Sequence, residues 1–217
     1  MNRKILVTDF DGTMTALDFY TVALTRLPAE AAGYWILYEK GKLSHFSALA
    51  AIFAMLAVDE VEYSAMLAEM GLEEGIENSV TELASAGWGV EIASAGCSCY
   101  IERLLGSRGI SIPLHANPGI FSPGKGVAMR LPEGEEYFSP ETGVDKKMIV
   151  GKLQDGGVDV AYAGDGRPDL APVLLLPPNR RFARGWLADE LTRLKEPFTR
   201  YTSWSEVATT LTGGSTC

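Results

Sequence analysis

Long apolar runs are missing from this sequence: nothing in it approaches the ~20 residues needed to span a bilayer. Its opening, Met-Asn-Arg-Lys and then Ile-Leu-Val soon broken by Asp9, is too short for the core of a signal peptide. A soluble, cytoplasmic protein with no membrane partner is therefore the expectation. Cysteine and histidine are also scarce. The 3 cysteines are an odd count, with Cys97 and Cys99 one residue apart and Cys217 at the end, so no disulfide framework is implied. His45 and His115 lie far from the cysteine pair, which argues against a Cys/His zinc site. Positive charge is not in excess either. A net charge of -9 works against a nucleic-acid partner, which needs a basic face, but leaves room for a local basic site for a small anion. What is present is ordinary: 217 residues, 47% hydrophobic and 22% charged, suit one packed domain or a core with a modest insertion, and exclude wholesale disorder.

Residues 4–9 read as a short buried strand running into a turn at Gly12. From Thr15 to about Ala86 glycine thins out and apolar residues recur at helical spacing, as in Leu43, Phe46, Leu49, Ala50, Phe53 and Leu56. Asp59 with Glu62 has the pattern of a capped helix start. Strand and helix then alternate: a strand over Gly87–Ser94, a helix to Leu105, a strand over Ile110–Ala116, a helix over Asp145–Gln154 and a strand over Val158–Ala163. A strand at Val173–Leu176, a helix over Arg184–Lys195, a short strand at Phe198–Thr202 and a helix over Glu206–Leu211 complete the reading, with 117–142 as a loop or hairpin on the rim. Such alternation predicts an α/β fold, a doubly wound parallel sheet covered on both faces. The helical block interrupts it after the first strand, which predicts a cap (15–86) inserted into a core made of 1–14 and 87–217.

Ligands of such sheets sit at the carboxyl ends of the strands, and Asp9, Ser94 and Asp165 each fall at such an end. In Asp9-Phe10-Asp11-Gly12-Thr13 the extended period of two points both carboxylates the same way, and Gly12 allows a tight turn. Asp165-Gly166-Arg167-Pro168-Asp169 repeats the device. A single Asp at a strand end is most simply a turn or cap residue. Four in two glycine-containing clusters repel one another unless a divalent cation neutralises them, and Mg²⁺ suits carboxylate oxygens with phosphate. Ser94-Ala95-Gly96, before a helix, offers a hydroxyl and backbone N–H groups to a phosphate, though Ser94 alone could be a plain N-cap.

In this order the residues resemble the haloacid dehalogenase (HAD) superfamily, specifically its phosphatase branch: DFDGT at 9–13, Ser94 after EIA, Lys146 and GDGRPD at 164–169. The position of the helical insert and Gly41-Lys42-Leu43-Ser44 within it resemble the phosphoserine-phosphatase-like subgroup. The tail from Phe182 to Val207 resembles the methionine-salvage phosphatases that act on a methylthio-enediol phosphate. The resemblance implies a Rossmann-like core and Mg²⁺-dependent hydrolysis of a small phosphomonoester by a monomer or homodimer. It makes Asp9 the nucleophile, Asp11 the acid and base, and Ser94 and Lys146 the holders of the phosphoryl group. Asp9, Asp165 and the backbone carbonyl of Asp11 would ligate Mg²⁺. Gly12, Thr13, Asp18, Ala95, Gly96 and Asp169 would bind substrate or support its site, Asp169 by orienting Lys146. The neighbouring Lys147 is set aside only by the family's spacing.

The pattern also departs from that subgroup. Phosphoserine phosphatases carry an acid nine positions after the nucleophile, where this chain has the shorter Asp18, and an arginine in the cap, which this chain lacks from Leu27 to Glu102. A bidentate partner for an amino-acid carboxylate is thus absent from the cap, and phosphoserine is disfavoured. Tyr20, Tyr34, Trp35, His45, Phe46 and Phe53 stand in the cap instead, mostly as expected core. Three rival readings stand beside this one. A haloacid dehalogenase has no use for Asp11, a phosphomutase would keep the same motifs, and a phosphorylatable signalling or binding module would lack the cap.

Overall fold

The computed structural model describes residues 3–213, so Cys217 lies outside the described residues. The chain begins with strand β1 (Lys4–Thr8) and continues through five helices, α1 (Phe19–Ala23), α2 (Ala31–Glu39), α3 (His45–Ala54), α4 (Glu60–Glu69) and α5 (Ile76–Ser85). Next come β2 (Trp88–Cys97), α6 (Ser98–Ser107) and β3 (Leu114–Asn117). Two small hairpins follow, β4 (Gly119–Ser122) with β5 (Gly126–Met129), and β6 (Phe138–Ser139) with β7 (Gly143–Val144). The chain returns to alternation with α7 (Lys146–Asp155), β8 (Asp159–Gly164) and α8 (Leu170–Val173). It closes with β9 (Arg181–Ala183), α9 (Gly185–Leu194), β10 (Thr199–Arg200) and α10 (Trp204–Thr212).

The main sheet has 6 strands in the order β10-β9-β8-β1-β2-β3, every pair parallel. Its central strand reads as an unbroken Ile-Leu-Val run because both faces are covered. Leu6 packs into the core beneath α5 and α10 with Leu83 and Val207, while Ile5 and Val7 point to the other face, with Ile149 of α7 and Leu187 and Leu191 of α9.

The helical block enters and leaves the core through paired backbone. Ala16 N–H donates to Gly71 O (3.0 Å), Leu17 N–H to Met70 O (3.0 Å) and Glu73 N–H to Met14 O (3.1 Å). Within the block Phe46, Leu49, Phe53 and Leu56 are buried, whereas Leu43 is only half-buried. Asp59 caps α4 by accepting from Glu62 N–H at 2.8 Å. Arg26 lies 3.6 Å from the Glu62 carboxylate and pairs with Glu69 at 2.7 Å. The last helix of the block, α5, lies on the sheet against β2 and α10.

One expectation meets a different structure. Val173–Leu176 closes α8 and turns, and the strand falls instead at Arg181–Ala183. The apolar run is short, and Pro172 and Pro177 flank it; a buried helix end satisfies that pattern as well as a strand does. The rim segment is two hairpins packed on the helical block. Phe121 of β4 stacks on Tyr63 of α4 at 3.7 Å, and Gly126 passes so close to α3 that a Cβ would sit 2.5 Å from Phe53 O.

Candidate active site

The two acidic turns meet where β1 and β8 end side by side. Asp9 N–H donates to Ala163 O at 2.9 Å, which ties the first turn to the neighbouring strand. Gly12 then takes φ +69°, open to glycine at little cost. A Cβ there would lie 2.5 Å from Asp165 Oδ2, so this position needs glycine on both counts. Thr13 Oγ1 donates to Asp165 Oδ1 at 3.1 Å from the same turn.

Asp169 organises the second turn from beneath. Its Oδ2 accepts from the N–H groups of Asp165 (3.0 Å) and Gly166 (2.8 Å), and its Oδ1 from Tyr162 OH (2.6 Å) and Lys146 Nζ (2.7 Å). Lys146 opens α7, whose N-cap Asp145 accepts from Met148 N–H at 2.9 Å. Its ammonium also donates to Asp9 Oδ1 at 2.7 Å. Lys146 is buried and Lys147 is exposed, so Lys146 is the lysine in the site.

Burial disfavours the Lys146 charge, but Asp169 and Asp9 outweigh it and hold the ammonium above its ordinary value. Burial raises Asp9 well above the usual carboxylate range; Lys146 opposes this, and Asp169 and Asp165 add to it. Burial, reinforced by Asp169, pushes Asp165 up to about 7. Oxygens of Asp9, Asp165 and Asp169 lie within 4.8 Å of one another, a group that could hold a cation. Because Asp169 already accepts four hydrogen bonds, Asp9 and Asp165 are the carboxylates with capacity left. Hard oxygen donors that resist ionising together fit a hard divalent cation.

Asp11 is held apart from that group. Its Oδ1 accepts from Phe19 N–H at 3.0 Å, and its Oδ2 from Tyr100 OH at 2.7 Å and, at the limit of contact, from Ser94 Oγ at 3.4 Å. Burial raises its carboxyl to about 6, against the pull of the Tyr100 and Phe19 hydrogen bonds. Gly96 makes this possible, since a Cβ there would sit 1.9 Å from Tyr100 Oη. Ser94 lies where the pairing of β2 with β3 is interrupted, between Ala93 and Cys97. Asn117 props that bulge, donating from Nδ2 to Ala95 O (2.8 Å) and Thr142 O (3.0 Å), while Gly96 N–H donates to Ser94 Oγ (2.9 Å).

A cavity of about 290 Å³ opens over these groups. Of the residues named from sequence, Asp9, Asp11, Ser94, Ala95, Gly96 and Lys146 line it, and so do Asp18 and Asp165. Gly12, Thr13 and Asp169 lie beneath it and act on its lining. Asp18 is at its edge with both oxygens engaged, as the cap of α1, by Thr21 N–H (2.7 Å) and Thr21 Oγ1 (2.9 Å).

Several residues of the site carry no signal in the motifs. Tyr100 is one, and Asn117 and Arg184 are others. Arg184, at the end of β9, donates from Nε to Gly12 O (2.6 Å), from Nη2 to Thr15 O (2.6 Å) and from Nη1 to Thr202 O (3.0 Å), clasping the first acidic turn. Arg167 and Trp186 reach the cavity from the core, the guanidinium 5.4 Å over the indole. Only the tail's resemblance marks Arg184 and Trp186. Cys97 and Cys99 lie just beyond the bulge with their sulfurs 3.3 Å apart. Cys97 is buried and Cys99 half-buried.

No family model matches the sequence, and no curated protein does. Solved structures do. A phosphoserine phosphatase described as a phospho-aspartyl intermediate analogue is 18% identical, with 95% of this chain and 98% of that one covered and a TM-score of 0.66. A HAD family hydrolase from Salmonella enterica serovar Typhi is 16% identical over 97% of this chain and 71% of that one, TM-score 0.71. A probable phosphoserine phosphatase from Vibrio cholerae is 20% identical over 96% and 64%, TM-score 0.67. The chain therefore has the α/β fold of the HAD phosphatases, in its phosphoserine-phosphatase-like form.

Proposed function

We propose that the protein is a Mg²⁺-dependent phosphomonoester hydrolase that passes the phosphoryl group of a small metabolite through Asp9. The observation that carries this reading is the buried Lys146 ammonium, shared between Asp9 and Asp169 beside Asp165, with Asp11 held separately at the same end of one cavity. The fold of the chain and its likeness to solved phosphoserine phosphatases support it.

Lys146 holds one oxygen of Asp9 and so fixes the direction of the other, which attacks phosphorus as the bond to the leaving alcohol breaks. Asp11, half-buried and raised to about 6, carries a proton over part of the neutral range and gives it to the departing oxygen. Its carboxylate then takes a proton from the water that attacks the aspartyl-phosphate, which releases inorganic phosphate and restores both residues. Ser94 and Lys146 stabilise the equatorial oxygens. Mg²⁺, held by Asp9, Asp165 and the backbone carbonyl of Asp11, would add fixed positive charge there. Residues 15–86 act as the cap and 1–14 with 87–217 as the core, with α5 seated on the sheet. The net charge and the absence of a long apolar helix among the described residues are the support for a cytoplasmic site of action without membrane or nucleic-acid partners.

A panel of phosphorylated metabolites, read by phosphate release with Mg²⁺ and again with chelator, tests this reading. Mg²⁺-dependent release from at least one member is expected. No release from any, by folded protein with the cation bound, would overturn it.

A further inference from the structure

The far end of the cavity is built from rings. Tyr20 and Trp35 stack at 4.8 Å with planes 22° apart, and Trp35 meets Tyr38 at 5.0 Å. His45 stands edge-on to Trp35 (5.9 Å) and Tyr38 (5.3 Å). All four line the cavity and all four are only half-buried, so part of each ring stays open to it although Tyr20 and Trp35 also pack against the core. Leu49 and Phe53 continue the surface inward.

The charges near this wall sit at its margins: besides Asp18 and Arg167 they are Glu39 and Glu141, both exposed, with the Glu141 carboxylate accepting from the His45 N–H at 3.0 Å. Burial, with Lys146 nearby, pushes His45 down to about 4, so its imidazole is neutral at neutral pH. Asp18 is held as the cap of α1 by Thr21, and Lys146 is paired with Asp9 and Asp169. Arg167 is exposed at the rim and lies over Trp186, where water screens it. A carboxylate or a polyhydroxyl body placed against the rings would lose water and find few partners, whereas an ammonium would be drawn to the ring faces. A planar apolar body would lose nothing and gain ring-to-ring contact. His45 Nδ1, buried and without a hydrogen-bond partner, offers one neutral polar contact in the same wall.

From this we infer that the substrate is the phosphomonoester of an alcohol with a flat aromatic or conjugated body, and that Trp35 and Tyr38 are the residues that select it. The inference rests on the hydrolase reading and narrows it to a substrate class.

The test compares 2-phenylethyl phosphate with glycerol 1-phosphate and phosphoserine, all unactivated alkyl esters, so ring recognition rather than leaving-group activation is compared. Wild-type kcat/KM should favour the phenylethyl ester by about ten- to a hundredfold, the effect of burying one large apolar group. In Trp35→Leu and in Tyr38→Leu, each checked for folding by thermal melting, the ratio should fall at least several-fold, chiefly through KM. Trp35→Phe should restore most of it. Equal or better turnover of glycerol phosphate or phosphoserine by wild type would overturn the substrate class while leaving the hydrolase reading intact. A ratio unchanged in both leucine variants would overturn the role given to the wall. Binding of 3-phenylpropylphosphonate and of methylphosphonate, read by tryptophan fluorescence, keeps the two questions apart. If no ester is hydrolysed, the hydrolase reading fails, and a tighter phenylpropyl ligand still supports the ring wall, whereas equal affinities overturn it.

Discussion

Asp11 shows how one side chain acquires a task from its surroundings. Alone it would titrate near 3.8, but burial lifts it to about 6, and the hydrogen bonds from Tyr100 and Phe19, with the Lys146 charge behind them, keep it from rising further. Tyr100→Phe keeps the ring, which stacks on Phe19 at 4.5 Å, and removes the hydroxyl donor. The carboxyl should then hold its proton to higher pH, so the alkaline fall of kcat/KM that reports Asp11 should move upward relative to wild type. A pH profile of both proteins with one alkyl phosphate checks this; an unmoved or lowered limb would contradict it. The meeting of Asp9, Asp11 and Asp165 at one cavity is legible from spacing, because a strand end plus glycine announces a turn that aims carboxylates. Tyr100 was not, since nothing in Cys-Ser-Cys-Tyr distinguishes a ring facing Asp11 from one in the core. Asp18 stood at an expected reading position, yet one Thr three residues later turns it into a helix cap.

At the scale of elements, the site depends on where strands end and on what clasps their turns. The alternation of strands and helices and the helical insert could be read from apolar periodicity, because each element buries one recognisable face. Val173–Leu176 defeated that reading, since four apolar residues between prolines carry no period. Arg184 lay hidden for a different reason: its three bonds go to backbone carbonyls of Gly12, Thr15 and Thr202, and backbone partners leave no trace in sequence. With water replacing part of the loss at this half-buried guanidinium, removing the charged donor costs about 1.5–3 kcal/mol in all, and each kcal/mol moves Tm by about 2–4 °C at this chain length. Arg184→Met should therefore lower Tm by about 3–10 °C and, by loosening the first acidic turn, reduce kcat more than it changes KM. Calorimetry with steady-state kinetics measures both. An unchanged Tm, or an effect confined to KM, would mean that the clasp does not position the turn.

For the whole molecule, the acidic centre is a cost that the fold sustains. Asp165 titrates near 7 and Asp11 near 6 in the folded protein, against 3.8 for both when free. The native state thus binds more protons than the unfolded chain between those values. The stability this confers is complete below about pH 4 and is lost as pH rises through 6 to 7. Metal-free protein should melt at a higher temperature at pH 5 than at pH 8. Mg²⁺ should raise Tm more at pH 8, where the carboxylates are ionised, than at pH 5. Scanning calorimetry at both pH values, with Mg²⁺ and with chelator, reads the difference, and an equal or reversed Mg²⁺ effect would contradict the account. The arrangement also explains why Lys146 is buried: its charge offsets part of the repulsion among Asp9, Asp165 and Asp169.

The most direct test is whether the phosphoryl group passes through Asp9. Asp11→Asn keeps the Asp9 carboxylate and its Lys146 contact but removes the proton relay, a loss of about 10²–10⁴-fold in typical cases. With Mg²⁺ and an activated aryl phosphate, which needs little help in departing, this variant should release a burst of the phenol. It should also accumulate a phosphoprotein, visible by rapid quench and intact-mass measurement and mapped by peptide analysis to Asp9. Asp9→Asn should give neither burst nor adduct. A turning-over Asp9→Asn, or a phosphoprotein carried on any other residue, would contradict the account.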